Sequence, residues 1–468
     1  MELLQTRLAK PYQALKDSPY WPTITVLLIS VVSLFMSIRL LRFVSQYAVN
    51  LIFYDEFGFM SPIFDHQDLW TVFRWQHGPH RQGLGGVISK FLMDWSGINI
   101  RVEAFAIAVV ICLALVLVLL LKRLLFGRFH WMDVLFPVAV LTLYQFEIFI
   151  VTPNLAHSAT PLFLVFFYSV SWLIKNRYIR YAALLFSNFL LLFTGFGIFM
   201  GIITVLILSI EVYSAFRGKQ KSQGMLSLSA LILSLASIAV FLQDYTFYPA
   251  VDCFGFSPRF TIRYPAYIAL IFSKFFGIQF RENVVISIGI GLLITLAMAA
   301  TMLKHGWNFL HNPFGRDQTS KIIFILTGFS LIYTTFTAVG RVCLGMDSAQ
   351  SSRYMSLIIP GFVGMLFSLY TIQRPSLSLA LFCLAFLLLG KTLLPFAKID
   401  QSTVDYFHDA KINWKECYLK IENVDECNRQ AYLNIYPQTD DYIVARLQYF
   451  KQNHLNLYLD SPKTTPGP

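Results

Sequence analysis

Residues 103–123 read EAFAIAVVICLALVLVLLLKR: eighteen successive residues, Ala104 to Leu121, carry no charge, and Lys122-Arg123 close the run. A helix of that length crosses a hydrocarbon core of about 30 Å. The basic pair at its end marks the side of the membrane on which it stops. Ten further apolar runs lie near 23–43, 132–152, 158–174, 179–194, 197–214, 225–243, 284–303, 322–338, 355–372 and 376–396. The chain of 468 residues is 56% hydrophobic and 13% charged, with a mean hydropathy of +0.58. A soluble domain carries about twice that charged fraction. The expected fold is therefore all-α, a polytopic transmembrane bundle of about eleven spans. Residues 1–397 form the membrane domain, 44–101 its first outer loop, and 398–468 a polar tail. Mostly polar residues fill the first 22 positions and no small-x-small cleavage site follows the first run, so span one is expected to stay as a signal anchor.

The net charge of +11 is a topology signal. Short loops alternate between Lys/Arg-rich and Lys/Arg-poor, and the rich set defines the cytoplasm. That set comprises Arg7, Lys10, Lys16, Lys122, Arg123, Arg128, Lys175, Arg177, Arg180, Arg217, Lys219, Lys221, Lys304, Arg316, Lys321 and Arg374. Five acids accompany these sixteen bases, which accounts for the whole excess; the other twenty-one bases and twenty-one acids cancel outside. Nucleic acid is thereby excluded as the partner that the positive charge would otherwise suggest. Trp21, Trp131, Trp172 and Trp307 fall at cytoplasmic span ends, as an interfacial belt requires. The N-terminus is thus inside and, with an odd number of spans, the tail outside. Residues 262–280, interrupted by Lys274, are expected to be an amphipathic or re-entrant helix on the outer face.

Cys112 and Cys383 lie inside spans, whereas Cys253, Cys343, Cys417 and Cys427 map outside. Cys417 and Cys427, ten residues apart in the tail, suit a local disulfide in an oxidising space. Their spacing is not that of a zinc site. In the same tail Ile443, Leu447, Phe450 and His454 or Leu455 follow helical spacing and predict a small helical cap.

Loop one mixes aromatic residues with acids and bases, as helices lying at a membrane surface do. Asp55 and Glu56 follow span one within about a dozen residues, flanked by Tyr54 and Phe57. A carboxylate there is desolvated on one side and wet on the other, a setting for a general base or a metal ligand. The plain alternative is an interfacial acid paired with Arg39 or Arg42. Further along, WQHGPHR brings together His77, His80 and Arg81. These suit an anionic phosphate, or a divalent cation shared with Asp65 and Asp68, or simply a solvated turn at Gly78-Pro79.

A second concentration, TAVGRVCLGMDSAQSSRYMS from Thr337, sets Arg341 and Arg353 near span ends with Ser351, Ser352 and Tyr354. Forked guanidinium donors suit a phosphate or phosphodiester, and snorkelling to lipid head groups is the bland alternative. Glu147 falls toward the outer end of span three, TGFG at 194–197 marks an outer turn, and Arg259 and Arg263 add positive charge near the 262–280 segment.

Tyr54-Asp55-Glu56 after span one, Gln76-His77-Gly78-Pro79-His80-Arg81 later in that loop, and Gly340-Arg341 followed by Ser352-Arg353-Tyr354 together resemble the GT-C superfamily of membrane glycosyltransferases. The arrangement is similar in plan to bacterial and phage O-antigen glucosyltransferases. Runs of the second type often carry an acid just before His-Arg; Pro79 stands there, so no role for such an acid carries over. The resemblance implies transfer of a sugar from a polyprenyl-phosphate-linked donor to a glycan or glycolipid acceptor of the cell surface, including lipopolysaccharide. It places such a protein in the bacterial inner membrane with its site facing the periplasm. Asp55 would take the proton of the acceptor hydroxyl and Glu56 would orient it. His77, His80, Arg81, Arg341, Arg353 and Tyr354 would receive the donor phosphate. A polymerase or ligase of surface polysaccharide, a transporter of lipid-linked glycans and a membrane acyltransferase are the competing classes. Polar residues gathered on one side disfavour transport.

Overall fold

The computed structural model describes residues 20–247, 255–315, 317–437 and 441–460. Among these the strands form a single hairpin, β1 (Gln76–His77) with β2 (His80–Arg81). The longer helices are α1 (Trp21–Tyr47), α2 (Gly83–Ser96), α3 (Ile100–Phe126), α4 (Ala159–Ser171), α5 (Arg177–Leu192), α6 (Ile198–Arg217) and α7 (Lys221–Leu242). They continue with α8 (Arg263–Lys274), α9 (Val284–His311), α10 (Thr319–Arg341), α11 (Met355–Leu369) and α12 (Pro375–Gly390), and the tail adds α13 (Lys398–Ile421), α14 (Val424–Ala431) and α15 (Asp441–Asn453).

Eight helical stretches among the described residues are long and apolar enough to cross a membrane: those of α1, α3, α6, α7, α9, α10, α11 and α12. The protein is an all-α membrane-embedded chain. Leu27, Leu34 and Phe35 on α1, and Leu293, Leu296 and Leu303 on α9, stay exposed on the bundle's flank, where lipid rather than water suits them.

The remaining expected runs are shorter or broken. Residues 132–152 are not one helix but a succession of short turns, Trp131–Val134, Leu135–Val140, Leu143–Gln145 and Glu147–Ile150. Pro137 removes a ladder donor, Thr142 Oγ1 accepts from Tyr144 N at 3.3 Å, and Gln145 Nε2 donates to Val140 O at 3.1 Å. Residues 135–146 are buried throughout, and irregular backbone is tolerated at membrane depth only when enclosed by protein. In the 262–280 segment, α8 has 12 residues, about 18 Å of rise and too short to cross. It runs antiparallel to the start of α9: Ser273 Oγ lies 2.9 Å from Ser287 Oγ, and Gly291 abuts Ala269 O. The interrupting Lys274 is buried in an ion pair with Asp400, which also accepts from Gln279.

The two ends of the bundle differ. One is closed by two buried Lys–acid–Tyr networks. Lys122 Nζ lies 3.2 Å from Asp133, which accepts from Tyr370 OH; Lys321 Nζ lies 2.7 Å from Glu211, which accepts from Tyr181 OH at 2.6 Å. Removing one partner of such a buried pair typically costs about 3–5 kcal/mol. The other end carries loop one and the tail, and is called the capped end below.

The tail is more than a small cap, and it has no core of its own. Leu51, Ile52, Phe57, Ile63 and Phe64 of loop one share a hydrophobic core with Trp414, Cys427, Ile435, Leu447 and Phe450 of the tail. Ile443, Leu447 and Phe450 face it with the expected spacing, and Leu455 rather than His454 continues the packing. Asn50 and Asn456 stitch the two segments: Asn50 Nδ2 donates to Asn456 O at 2.7 Å, and Asn456 Nδ2 donates to Asn50 Oδ1 at 3.2 Å. The expected Cys417–Cys427 disulfide is present, joining α13 to α14 across a Cα separation of 5.6 Å. Cys343, at the same end, is also disulfide-bonded; Cys253 lies outside the described residues.

Candidate functional site

Asp55 owes its position to an uncomfortable backbone. Tyr54 adopts a left-handed φ of 56°, a conformation that costs a bulky residue about 1–3 kcal/mol. Its N–H is held by Ile435 O of the tail at 2.7 Å. The turn leads into the short helix Glu56–Phe59, of which Asp55 is the N-cap residue without using its side chain as a cap. That carboxylate is 43% exposed and stands 3.9 Å from His77 Nε2. It does not pair with Arg39, whose guanidinium donates to Thr392 O.

Three imidazoles line up beside it. His77 and His80 are cross-strand neighbours in the β1–β2 hairpin. The ring of Phe59 lies 4.8 Å from that of His77 and 4.7 Å from that of His157, and His157 is 4.9 Å from His80. Gly58 makes this packing feasible, since a Cβ there would come within 2.2 Å of the His77 ring. His157 is a residue that the sequence reading missed. Its turn is fixed by Glu103 of α3, which accepts from Leu155 N at 3.2 Å and Ser89 Oγ at 2.7 Å. His157 Nε2 lies 3.3 Å from Gln82 Nε2, and Asn154 Nδ2 donates to Gln82 Oε1 at 3.2 Å. Gly195 of the TGFG turn donates to Ala156 O at 2.8 Å, and a side chain there would strike His157.

The second motif arrives from the far end of the chain. Glu147 is the organiser: its carboxylate accepts from Ser352 N at 2.7 Å and Ser351 Oγ at 2.5 Å, and lies 3.6 Å from Arg353 Nε. Arg353 Nε also donates to Ser351 Oγ at 2.9 Å, yet the side chain remains 56% exposed. Its charge is felt at both Asp55 and His157. The charge of Arg341, at the end of α10, reaches His80. Tyr354 is buried beside Tyr333 and Tyr267 and packs behind the site.

Two expected members are elsewhere. Glu56 is wholly buried in the core shared with the tail, where Oε2 accepts from Phe53 N at 2.6 Å; it does not face Asp55's opening. Arg81 turns away from the histidines. It donates to Phe241 O at 2.9 Å and Gln243 O at 2.6 Å, and also to Arg74 O, among the rings of Phe193, Phe241 and Tyr245. It is a structural rivet rather than an open anion site. The donors of the cation reading also part company: Asp68 caps the helix Leu69–Arg74, and Asp65 pairs with Arg446. Among the described residues no trio of His, Cys, Asp or Glu is grouped as a metal site requires.

Burial pushes the Asp55 carboxyl upward, but contact with His77 and the charges of His77 and Arg353 outweigh it, so its pKa lies below the ordinary value. Burial, with the Arg341 and His77 charges, pushes His80 down to about 3, and burial beside His80 and His77 likewise depresses His157. Those two imidazoles are neutral at physiological pH and act by hydrogen bonding and shape, not as cations. Glu56 lies well above the usual carboxylate range, driven by burial. The site thus combines an ionised, half-exposed carboxylate, a wall of imidazoles and an exposed arginine.

No family model, curated protein or solved structure matches the chain.

Proposed function

We propose that this chain is a membrane glycosyltransferase, moving a sugar from a polyprenyl-phosphate-linked donor to a cell-surface glycan or glycolipid acceptor. The observation that carries the reading is that Asp55, beside His77, lies within the field of Arg353, nearly three hundred residues away in sequence, at one end of the bundle with His80 and His157. In this reading the chain sits in a bacterial inner membrane, with its N-terminus in the cytoplasm and the capped end in the periplasm. The disulfides of Cys417–Cys427 and Cys343 at that end support the orientation, because disulfides persist in oxidising compartments. The buried Lys–acid–Tyr networks at the opposite end favour an enzyme over a transporter, which would have to open there.

The chemistry follows from the charges. A bond forms between the acceptor oxygen and the anomeric carbon as the bond from that carbon to the donor phosphate breaks. The proton passes to Asp55 and the electron pair leaves with the phosphate. A base of low pKa accepts its proton late, once bond formation has acidified the hydroxyl. The exposed guanidinium of Arg353, with Arg341 behind it, stabilises the departing phosphate. His80 and His157 orient the sugar hydroxyls as neutral partners.

The test is transfer from a labelled polyprenyl-phosphate sugar to acceptor polysaccharide in membranes carrying the parent chain, Asp55→Asn or Arg353→Ala. Asp55→Asn is expected to lose about 10²–10⁴ in rate, and Arg353→Ala to lose transfer at undiminished expression. Full activity in Asp55→Asn would remove the base, and absence of transfer by the parent would remove the reading.

A further inference from the structure

The tail contributes to the site as well as capping it. Lys411 of α13 is 1% exposed. Its ammonium donates to Val151 O at 2.7 Å and lies 4.9 Å from the centre of the Phe53 ring. Val151 sits between the two pieces of one wall, the short helix with Glu147, partner of Arg353, and the turn with His157. Phe53 lies two residues before Asp55, and its N–H is taken by Glu56. The Lys411 charge acts on Glu56, whose second oxygen is buried without a hydrogen bond.

A buried ammonium is costly unless it is well coordinated, and an apolar residue would fill the same volume more cheaply. We propose that Lys411 is a positioning residue, holding the Asp55 turn at a fixed spacing from the wall that carries Glu147, Arg353 and His157. This rests on the transferase reading only for its consequence in turnover. Its structural content stands alone.

The experiment uses the full chain in lipid nanodiscs and amide hydrogen exchange of peptides covering 51–58 and 150–158. Lys411→Met keeps volume and removes the charge-assisted bond; exchange in both segments is expected to rise by about tenfold or more, while peptides over 417–427 and 443–450 keep the parent rate. Lys411→Arg is expected to restore most of the protection. Glu56→Gln added to Lys411→Met is expected not to, because the bond to Val151 O is still missing. Unchanged exchange in Lys411→Met would overturn the proposal. So would recovery in the double variant, which would make Lys411 a mere counter-charge, or general loosening of the tail. The readout needs no substrate. If exchange responds but the parent transfers no sugar, the transferase reading fails and the positioning role stands. If transfer is present, Lys411→Met is expected to lower kcat with little change in donor KM.

Discussion

Asp55 Oδ1 stands 3.9 Å from His77 Nε2, beyond hydrogen-bond reach but close enough for the imidazole to bias the carboxylate's charge. Together with Arg353 it keeps the Asp55 pKa low against the upward push of burial. Removing His77 takes away part of that downward pull. In His77→Ala the acid limb of the kcat/KM profile, which the proposed reading assigns to loss of ionised Asp55, is therefore expected to move to higher pH. An unmoved acid limb would separate His77 from the base.

The close approach of Gly58 to His77 gives a steric test. Gly58→Ala sets a methyl about where the imidazole now lies, and His77, 33% exposed, has room to swing outward. The fold is expected to survive, with an unchanged thermal midpoint, while transfer falls by about 10²-fold, the typical result of a misplacement of about 1 Å. Parent-like turnover in a folded Gly58→Ala chain would show that the ring's position does not matter.

His80 makes stability depend on pH. Its imidazole is pushed from 6.5 to about 3, mainly by burial. Between those values the unfolded chain binds a proton that the folded chain does not, so stability rises with pH across that window and is complete above it. The thermal midpoint in detergent is expected to fall steadily as pH drops from 6.5 toward 4, and His80→Gln is expected to flatten that slope. An equal slope in the variant would assign the acid sensitivity to other groups.

Sidedness is open to direct chemistry. Gln67 and Tyr432 are both exposed at the capped end. In a background with Cys112→Ser and Cys383→Ser, Gln67→Cys and Tyr432→Cys are expected to react with a membrane-impermeant maleimide added to the periplasmic side. Labelling only after the cytoplasmic side is opened would invert the orientation.

Much of the bundle was legible because an apolar run has one physical meaning in a chain with so little charge. Residues 132–152 were not legible as broken, since hydropathy cannot tell a straight span from turns enclosed by neighbours. In the site, Asp55 and Arg353 were readable as polar residues that hydrocarbon does not tolerate without purpose. Glu56 was not separable from Asp55, because adjacent residues in a helical turn point about 100° apart and one of them had to be buried. Arg81 misled for a similar reason: successive residues of a strand face opposite ways, so His80 faces the imidazoles and Arg81 the carbonyls of 241 and 243. A lone histidine among apolar residues gave no local signal, and His157 gains its place only through Glu103, Gln82 and Gly195.

The pairing of Asn50 with Asn456 has a bearing on how the molecule is made. Loop one is synthesised well before the tail, yet the core that shapes it is completed by residues near 450. Until the tail segments have packed against it, the Asp55 turn lacks its template. A chain cut short before the tail would therefore carry the loop-one side chains of the candidate site without the core that groups them. On the proposed transferase reading, transfer would begin only once the tail has docked on loop one.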